Sequence, residues 1–280
     1  MTKTVLITGC SSGVGKSAAR HFAAQGWNVV ATMRKPALDL ANDYPDRILV
    51  LPLDVADPAS IAAAVEAGIG RFGGLDVVVN NAGITMLSIF EATPDAAARR
   101  IFETNVFGMM NVIRATLPAL RARGGTIVNI TSGVGIAAVP LLSLYVASKQ
   151  AAEGLSESLA YELESQNILV KLVESGAIRT TNFTASGMAL SQEAPVPEGY
   201  KAYFDHALKT MIDYPFESTE EQSVVETVWA AATDPSHRLR YVIGPDVEEY
   251  ARLRWSTSED AYMAGMGRLV GQTAWREKAS

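Results

Sequence analysis

The chain has 280 residues, of which 48% are hydrophobic, and a formal net charge of −6 at neutral pH. This length and apolar content predict a large buried core, and without a block of like charge neither nucleic acid nor an anionic membrane is expected as a partner. The only cysteine, Cys10, excludes an intrachain disulfide, and a first strand predicted from Thr4 leaves no room for a signal peptide. Both features indicate a cytoplasmic protein.

Short β-branched segments alternate with longer helical ones along the chain. Strands are predicted at residues 4–8, 28–32, 48–52, 77–80, 126–130, 169–174 and 241–243. Most of them are apolar throughout, as expected of strands buried on both faces of a parallel sheet. Helices are predicted at residues 14–25, 58–71, 95–123, 145–165 and 219–233. The alternation predicts one α/β domain over residues 1–280, a doubly wound Rossmann-type fold with about seven parallel strands flanked by helices.

Two segments depart from this alternation. Residues 181–215 form a long insertion rich in Gly, Pro and Met, and long insertions in compact domains are often lids or binding loops. We therefore predict a substrate lid there. Residues 245–280 form a tail with Trp255 and Trp275, which is expected to pack as a helix on the body of the protein or on a partner.

The first predicted strand leads into a glycine-rich turn, Thr8-Gly9-Cys10-Ser11-Ser12-Gly13-Val14-Gly15, that opens a helix. Glycines permit a tight turn and a close approach of the backbone to a pyrophosphate, and the helix N-terminus supplies N–H groups and a positive dipole. The spacing G-x-x-x-G-x-G differs from the common dinucleotide fingerprint G-x-G-x-x-G. The turn favours a dinucleotide site without proving one.

Two other interpretations of this turn stay open. Gly15-Lys16-Ser17 ends like the phosphate-binding loop of a phosphotransferase, although Cys10 stands where that motif needs a glycine. Gly9-x-Ser11-x-Gly13 also matches the nucleophile elbow of a hydrolase, for which His206 or His237 would be the later partner.

Tyr145 and Lys149 are four residues apart in a predicted helix, so their side chains can face one site. A phenol has a pKa of about 10 and exchanges protons poorly at neutral pH. A positive charge about 4 Å away, at an effective dielectric near 20, contributes about 4 kcal/mol, which would bring that pKa to about 7. Lys149 is therefore expected to lower the pKa of Tyr145 and make it a general acid or base.

Together these motifs make the chain resemble the main soluble branch of the short-chain dehydrogenase/reductase family, over about residues 3–244. The turn at residues 8–15, Leu53-Asp54-Val55 and Asn80-Asn81-Ala82-Gly83 match the family's cofactor-binding segments. The family's catalytic four are matched in order by Asn105, Ser132, Tyr145 and Lys149. Residues 29–34 and 103–108 are most similar to the subgroup that includes 17β-hydroxysteroid and retinol dehydrogenases.

The resemblance implies hydride transfer between a nicotinamide and a carbonyl or alcohol carbon. Tyr145 would exchange the proton, Lys149 would lower its pKa and hold the nicotinamide ribose, and Ser132 would bind the substrate oxygen. Asn105 would hold a water that links Lys149 to solvent. No metal is expected. The implied cofactor contacts are Gly9, Ser11, Ser12, Gly13, Val14, Gly15, Arg34, Asp54, Val55, Asn80, Ala82, Gly83, Tyr145, Lys149, Gly176, Ile178 and Thr180.

The segment after the second strand indicates which cofactor is used. Family members that bind NAD(H) carry an acidic residue there, whereas this chain has Met33 followed by Arg34. Since a guanidinium suits a phosphate, NADP(H) is expected rather than NAD(H). One departure follows the sixth strand, where Ser175 replaces the family's usual proline before Gly176. It loosens that turn and puts the exact pocket shape in question.

The expected substrate is a small molecule, an apolar ketone or alcohol of medium to large size. Residues 134–142 and the insertion supply its mainly apolar walls, with Pro140, Leu141, Leu142, Phe183, Met188 and Leu190. The resemblance also implies a homodimer or homotetramer built through helices near residues 99–123 and 145–165. A catalytically silent NADP(H)-binding regulator is the alternative from another functional class.

Overall fold

A computed structural model describes residues 2–178 and 182–279. Two predicted features, the cofactor contact Thr180 and the start of the lid at Thr181, lie outside the described residues. Within the described part of the chain, every helix is too short or too polar to cross a lipid bilayer.

Seven parallel strands form one sheet in the order β3-β2-β1-β4-β5-β6-β7. They are β1 (Thr4–Ile7), β2 (Asn28–Met33), β3 (Ile48–Pro52), β4 (Val77–Asn80), β5 (Gly125–Ile130), β6 (Ile168–Ser175) and β7 (Arg240–Ile243). The predicted α/β fold is confirmed, and each predicted strand end is within one residue of the observed one. The strand order reverses between β1 and β4, which is where ligands bind in such sheets.

Helices cover both faces of the sheet. They are α1 (Gly13–Ala24), α2 (Pro58–Phe72), α3 (Asp95–Phe102), α4 (Met109–Arg121), α5 (Gly133–Ile136), α6 (Ser143–Glu164), α7 (Asn182–Ser191), α8 (Lys201–Ile212), α9 (Glu221–Thr233), α10 (Pro245–Ser256), α11 (Glu259–Leu269) and α12 (Gln272–Ala279). The core on one face joins α1 and α9 to the sheet, and the core on the other face joins α2, α4 and α6.

Local sequence signals explain where α2 begins and ends. This helix packs on the same face of the sheet as α4 and α6. Asp57 caps its first turn by accepting a hydrogen bond from the Ala59 N–H at 2.9 Å, and Pro58 occupies the first helical position. Gly73 ends the helix with φ 80°, a left-handed conformation that costs glycine little. Arg71 in the last turn complements the negative end of the helix dipole.

The single helix predicted over residues 95–123 is wrong in one respect. A π-helical turn, Glu103–Gly108, separates α3 from α4 and contains Asn105. At its end, Gly108 approaches the loop after β3 so closely that an added Cβ would lie 2.6 Å from Val55 Cγ2. Hydrophobic periodicity cannot detect such a turn, since its residues remain helical and buried on one face.

The insertion and the tail are more helical than predicted. The insertion contains α7, a 3₁₀ turn at Glu198–Tyr200 and α8, and the tail contains α10, α11 and α12. Residues of the tail pack with Ile136 and Ala137 of the body around Val247 and Tyr250. The tail therefore extends the protein's own core.

Candidate cofactor and catalytic site

The glycine turn leaves an exposed row of backbone donors at the carboxyl end of β1. Gly9 and Gly13 have φ values of 74° and 55°, in the left-handed region that favours glycine. Ser12 precedes α1, but its side chain makes no capping hydrogen bond within the described structure, and the first turn has no acidic residue. The N–H groups that begin α1 are thus open to an anion.

Asn81 fixes this turn against the segment that follows β4. Its Nδ2 donates to the carbonyl oxygens of Thr8 and Gly9, at 2.8 and 3.2 Å. Thr8 Oγ1 in turn accepts from the N–H groups of Asn81 and Ala82, at 3.0 and 3.1 Å. A Cβ on Gly15 would lie 2.4 Å from Asn81 Nδ2. The sequence match gives Asn81 no specific role, and the structure shows that its side chain fixes the turn.

The other predicted cofactor contacts lie along the same edge of the sheet. Ser11 and Val14 belong to the turn, Arg34 is exposed directly after β2, and Asp54 and Val55 follow β3. Ala82 and Gly83 follow β4, and Gly176 and Ile178 follow β6. These residues all follow the carboxyl ends of strands on either side of the switch point, where the N-terminus of α1 also lies. The residues present therefore fit a dinucleotide.

Ser132, Tyr145 and Lys149 come together where β5 ends. Tyr145 is 7% exposed, and its hydroxyl lies near enough to the Ser132 side chain for Ser132 to lower its pKa. Lys149 Nζ donates to the carbonyl oxygen of Ile130 at 3.0 Å and lies 5.7 Å from the centre of the Tyr145 ring. The arrangement places a hydroxyl pair beside a buried ammonium.

Asn105 is anchored beside them by its π-helical turn. Its Oδ1 accepts from the Ile84 N–H at 2.8 Å, and its Nδ2 donates to the Ile84 carbonyl oxygen at 2.8 Å and to Ser148 Oγ at 3.0 Å. A small internal cavity is lined by Asn105, Lys149 and Asn80, among others. Asn80 Oδ1 is buried without a hydrogen-bond partner in the described structure. A small polar occupant fits this cavity.

The pKa values in the centre correct one expectation. Burial raises the pKa of Tyr145, and the nearby Ser132 side chain offsets this only in part. The expected fall in that pKa is wrong for this structure. The reason is that burial takes the hydroxyl out of water, and desolvation disfavours the charged phenolate. Burial also lowers the pKa of Lys149 to about 8, against the opposing charge of Glu153.

One side of the centre is covered by the predicted lid. The Phe183 ring of α7 lies 5.9 Å from the Tyr145 ring, centre to centre. A Cβ on Gly187 would lie 2.5 Å from Thr85 Cγ2, and Ser191 Oγ accepts from the Leu87 N–H at 2.9 Å. These contacts hold α7 over the loop that follows β4.

A cleft of about 510 Å³ opens beside the loop that leads into α6. Most of its lining is apolar or aromatic, and at its rim the Tyr200 hydroxyl donates to Glu91 Oε2 at 2.8 Å. The lining residues are Ser88, Ile89, Phe90, Glu91, Pro140, Leu141, Ser143, Tyr200 and Tyr203.

The residues of the two alternative interpretations make other contacts. Lys16 pairs with Asp39 at 3.4 Å. His206 Nε2 lies 2.8 Å from the carbonyl oxygen of Gly271, and His237 is an exposed side chain near Glu164. In the part of the chain that the structure describes, neither histidine has a contact with Ser11, and no group of His, Cys, Asp or Glu could hold a metal ion.

These features define a class: an α/β protein whose glycine turn at the switch point of the sheet fits a dinucleotide and whose Ser–Tyr–Lys centre lies at the same edge. The family model for short chain dehydrogenases matches residues 3–189. The chain belongs to the short-chain dehydrogenase/reductase family of oxidoreductases, as its motifs had indicated.

Relatives extend the similarity over most of the chain. The uncharacterized oxidoreductase YusZ of Bacillus subtilis is 36% identical over 259 residues, 88% of this chain and 90% of the relative. Retinol dehydrogenase 8 of Homo sapiens is 38% identical over 205 residues, 70% of this chain and 65% of the relative. The match to retinol dehydrogenase 8 agrees with the sequence resemblance to the subgroup that includes 17β-hydroxysteroid and retinol dehydrogenases.

Solved structures share the whole fold. A short-chain dehydrogenase from Streptomyces avermitilis has a TM-score of 0.81 at 33% identity, with 98% of each chain covered. ElxO, solved with NADP bound, has a TM-score of 0.70 at 26% identity, covering 86% of this chain and 98% of that one. A 3-ketoacyl-(acyl-carrier-protein) reductase from Brucella melitensis, complexed with NADH, has a TM-score of 0.72 at 25% identity, with 86% and 96% covered.

Proposed function

We propose that this protein is an NADP(H)-dependent oxidoreductase that interconverts an apolar ketone and its secondary alcohol. The observation that carries the proposal is the Ser132–Tyr145 hydroxyl pair beside the buried Lys149, at the end of the sheet that bears the glycine turn. Such a pair can bind a carbonyl oxygen and exchange a proton with it. The nicotinamide, when bound, supplies or accepts the hydride.

We assign Tyr145 the role of general acid in carbonyl reduction. Because burial raises its pKa, the phenol keeps its proton at neutral pH and can give it to the developing alkoxide. Ser132 would orient the same substrate oxygen by a hydrogen bond. With a pKa of about 8, Lys149 is mostly protonated at pH 7, so its ammonium can stabilise the phenolate that remains and hold the nicotinamide ribose.

Asn105 and the cavity beside it complete this proton path. The cavity is lined by Asn105 and Lys149, and the orphaned oxygen of Asn80 belongs to the same lining. A water there would accept from Lys149 and donate to Asn80 Oδ1, which leaves a route for returning a proton to Tyr145.

The preference for NADP(H) rests on the turn after β2. Met33 is buried where an acidic residue would repel a 2′-phosphate, and the exposed Arg34 follows it. A guanidinium can form two parallel hydrogen bonds to a phosphate. Related structures hold NADP in one case and NADH in another, so the fold accommodates both cofactors and the proposed preference depends on Met33 and Arg34.

The substrate class is proposed from the cleft, whose lining includes Ser143, two residues before Tyr145, but none of Ser132, Tyr145 and Lys149. The apolar lining from Ile89, Phe90 and Leu141 suits a hydrocarbon body of medium to large size, and the lid brings Phe183 to Tyr145. Phe107 and Tyr161 are also exposed, at 47% and 74%, on the helical face that the family uses for association. We therefore include a homodimer or homotetramer in the proposal.

The test is binding of NADPH and NADH, followed by nicotinamide fluorescence, to the wild type, Arg34→Ala and Lys35→Ala. NADPH is expected to bind the wild type more tightly than NADH. Loss of one charged phosphate contact in Arg34→Ala should weaken NADPH about tenfold to a hundredfold and leave NADH unchanged. Lys35, the exposed neighbour, serves as the matched control. Equal affinity of the wild type for both cofactors would overturn the NADP(H) assignment, and no binding of either would overturn the function.

A further inference from the structure

A buried carboxyl group lies one helical turn beyond Lys149, on the side away from Tyr145. Glu153 is 6% exposed, and its Oε1 accepts from Thr131 Oγ1 at 2.5 Å. Gly135 leaves room for it, since an added Cβ there would lie 2.9 Å from Glu153 Cγ. Glu153 thus connects α6 to the residue that precedes Ser132. The proposed chemistry gives it no task.

A second carboxyl group faces it from β6. Glu174 is fully buried, and without a proton neither of its oxygens has a hydrogen bond of good geometry in the described structure. The two carboxyl groups interact, and a hydrogen bond between them requires a proton on one of them. Burial raises the pKa of both, but Thr131 and Arg240 lower that of Glu153, whereas the charge of Glu153 raises that of Glu174 further, to about 8, so Glu174 binds the proton more readily.

Arg240 on β7 closes the cluster from the other side. Its Nε lies 3.1 Å from Glu174 Oε1. Its Nη2 lies 3.4 Å from Glu153 Oε2 and 3.0 Å from Glu157 Oε2. The charged groups that face Glu153 are therefore Lys149 and Glu157 from α6, Glu174 from β6 and Arg240 from β7. With one proton on the acid pair, Glu153 presents a negative charge towards Lys149.

We propose that Glu153 is a positioning residue for the catalytic centre: its buried carboxylate, held by Thr131 and Arg240, lies one helical turn from Lys149 and keeps that side chain an ammonium. This inference rests on the proposed function for its catalytic meaning. The physical reason is that burial alone drives Lys149 towards the neutral amine, and Glu153 is the charge that opposes this. A neutral Lys149 could neither stabilise the Tyr145 phenolate nor hold the ribose as a cation.

The test is the titration of Lys149 itself, which needs neither substrate nor cofactor. Each variant is treated with a trace of acetic anhydride at pH values between 6 and 10, and the acetylated fraction of Lys149 is measured by mass spectrometry of its peptide. Dividing by the fraction reached at high pH corrects for differences in how accessible Lys149 is to the reagent. Glu153→Gln is expected to move the Lys149 midpoint about one unit below that of the wild type, and Glu153→Asp, which keeps the charge, should restore most of it. Glu157→Gln is the matched control, since it shares Arg240 and helix α6 and should leave the midpoint unchanged.

Two further variants make the result decisive. Glu174→Gln mimics the protonated acid and should leave the Lys149 midpoint close to that of the wild type. If Glu153→Gln does not fold, Glu153→Met takes its place, since it also removes the charge and keeps an unbranched side chain, and the midpoint of Lys149 should fall as well. An unchanged midpoint in a folded Glu153→Gln or Glu153→Met variant would overturn the inference.

The pH profile of ketone reduction links the titration to catalysis. Activity of Glu153→Gln should fall on the alkaline side about one pH unit earlier than that of the wild type. A merely structural role would lower activity evenly at all pH values, which contradicts the inference. A wild type without any reductase activity would contradict the proposed function, and the acetylation result would still decide the role of Glu153.

Discussion

The glycine turn and the lid helix α7 both border the catalytic centre, but they are held there by different means. The turn is fixed by hydrogen bonds between Asn81, Thr8 and the backbone, with no room for a Cβ at Gly15. Among the described contacts, the lid is held by a hydrogen bond from the Leu87 N–H to Ser191 Oγ, by the packing of Gly187 and Leu190, and by ring contact between Phe183 and Tyr145. Phe183 remains 37% exposed.

The difference indicates that the glycine turn and the lid helix α7 tolerate substitution to different degrees. In the proposed function, the cofactor would bind a backbone shape that tolerates little change, whereas the substrate would contact side chains on the helix that covers the centre. Small changes in the turn should therefore abolish binding, and small changes in the lid should adjust the reaction.

The largest effect is expected from closing the space at Gly15. In Gly15→Ala the added Cβ would lie only 2.4 Å from Asn81 Nδ2 and 2.6 Å from the Gly9 carbonyl oxygen, which is closer than non-bonded atoms can approach. The turn must open, and NADPH affinity should fall at least about a hundredfold, which corresponds to about 2.7 kcal/mol. Titration of NADPH fluorescence measures this.

Gly70→Ala is its matched control, because nothing lies within 4 Å of a Cβ at that helical position. It should leave NADPH affinity unchanged and raise stability by up to about 1 kcal/mol. If Gly15→Ala binds NADPH with an affinity within about threefold of the wild type, the claim that the turn tolerates less change than the lid is contradicted.

A smaller effect is expected from the lid. Phe183→Ala removes the ring that lies against Tyr145, and aromatic pairs contribute about 0.5–1.5 kcal/mol, so kcat/KM should fall about threefold to tenfold. NADPH affinity should not change. Met188→Ala, on the same helix and 52% exposed, should stay within about twofold of the wild type in steady-state kinetics. A loss of kcat/KM in Phe183→Ala as large as the loss of binding in Gly15→Ala would contradict the claim that the turn tolerates less change than the lid.

The sequence predicts the turn well because its constraints act on the backbone. Glycines at fixed spacing, an Asn-Asn-Ala-Gly segment and β-branched strands are local signals, and the fold and strand ends follow from them. Tyr145, Ser132 and Lys149 meet as expected, since a helical turn and a strand end fix their placement.

What the sequence does not predict depends on packing between distant segments. The helices of the insertion and the tail have apolar residues without a clear period, and their shape comes from the surfaces they cover. The π-helical turn at Asn105 looks like continuous helix in the sequence. Burial reverses the expected pKa change of Tyr145, and the Glu153–Glu174 pair joins residues from separate elements, so neither leaves a local signal.

The most direct test of the account compares Tyr145→Phe with the wild type and with Tyr161→Phe, whose tyrosine lies on the same helix and is 74% exposed. Reduction of an apolar ketone is followed by NADPH oxidation, alongside NADPH binding and thermal unfolding. General acid catalysis typically contributes about 10²- to 10⁴-fold, so Tyr145→Phe should lose that much kcat while it binds NADPH and unfolds like the wild type. Tyr161→Phe should keep full activity. Reduction by Tyr145→Phe at a rate within tenfold of the wild type would contradict the account, because another group would then deliver the proton.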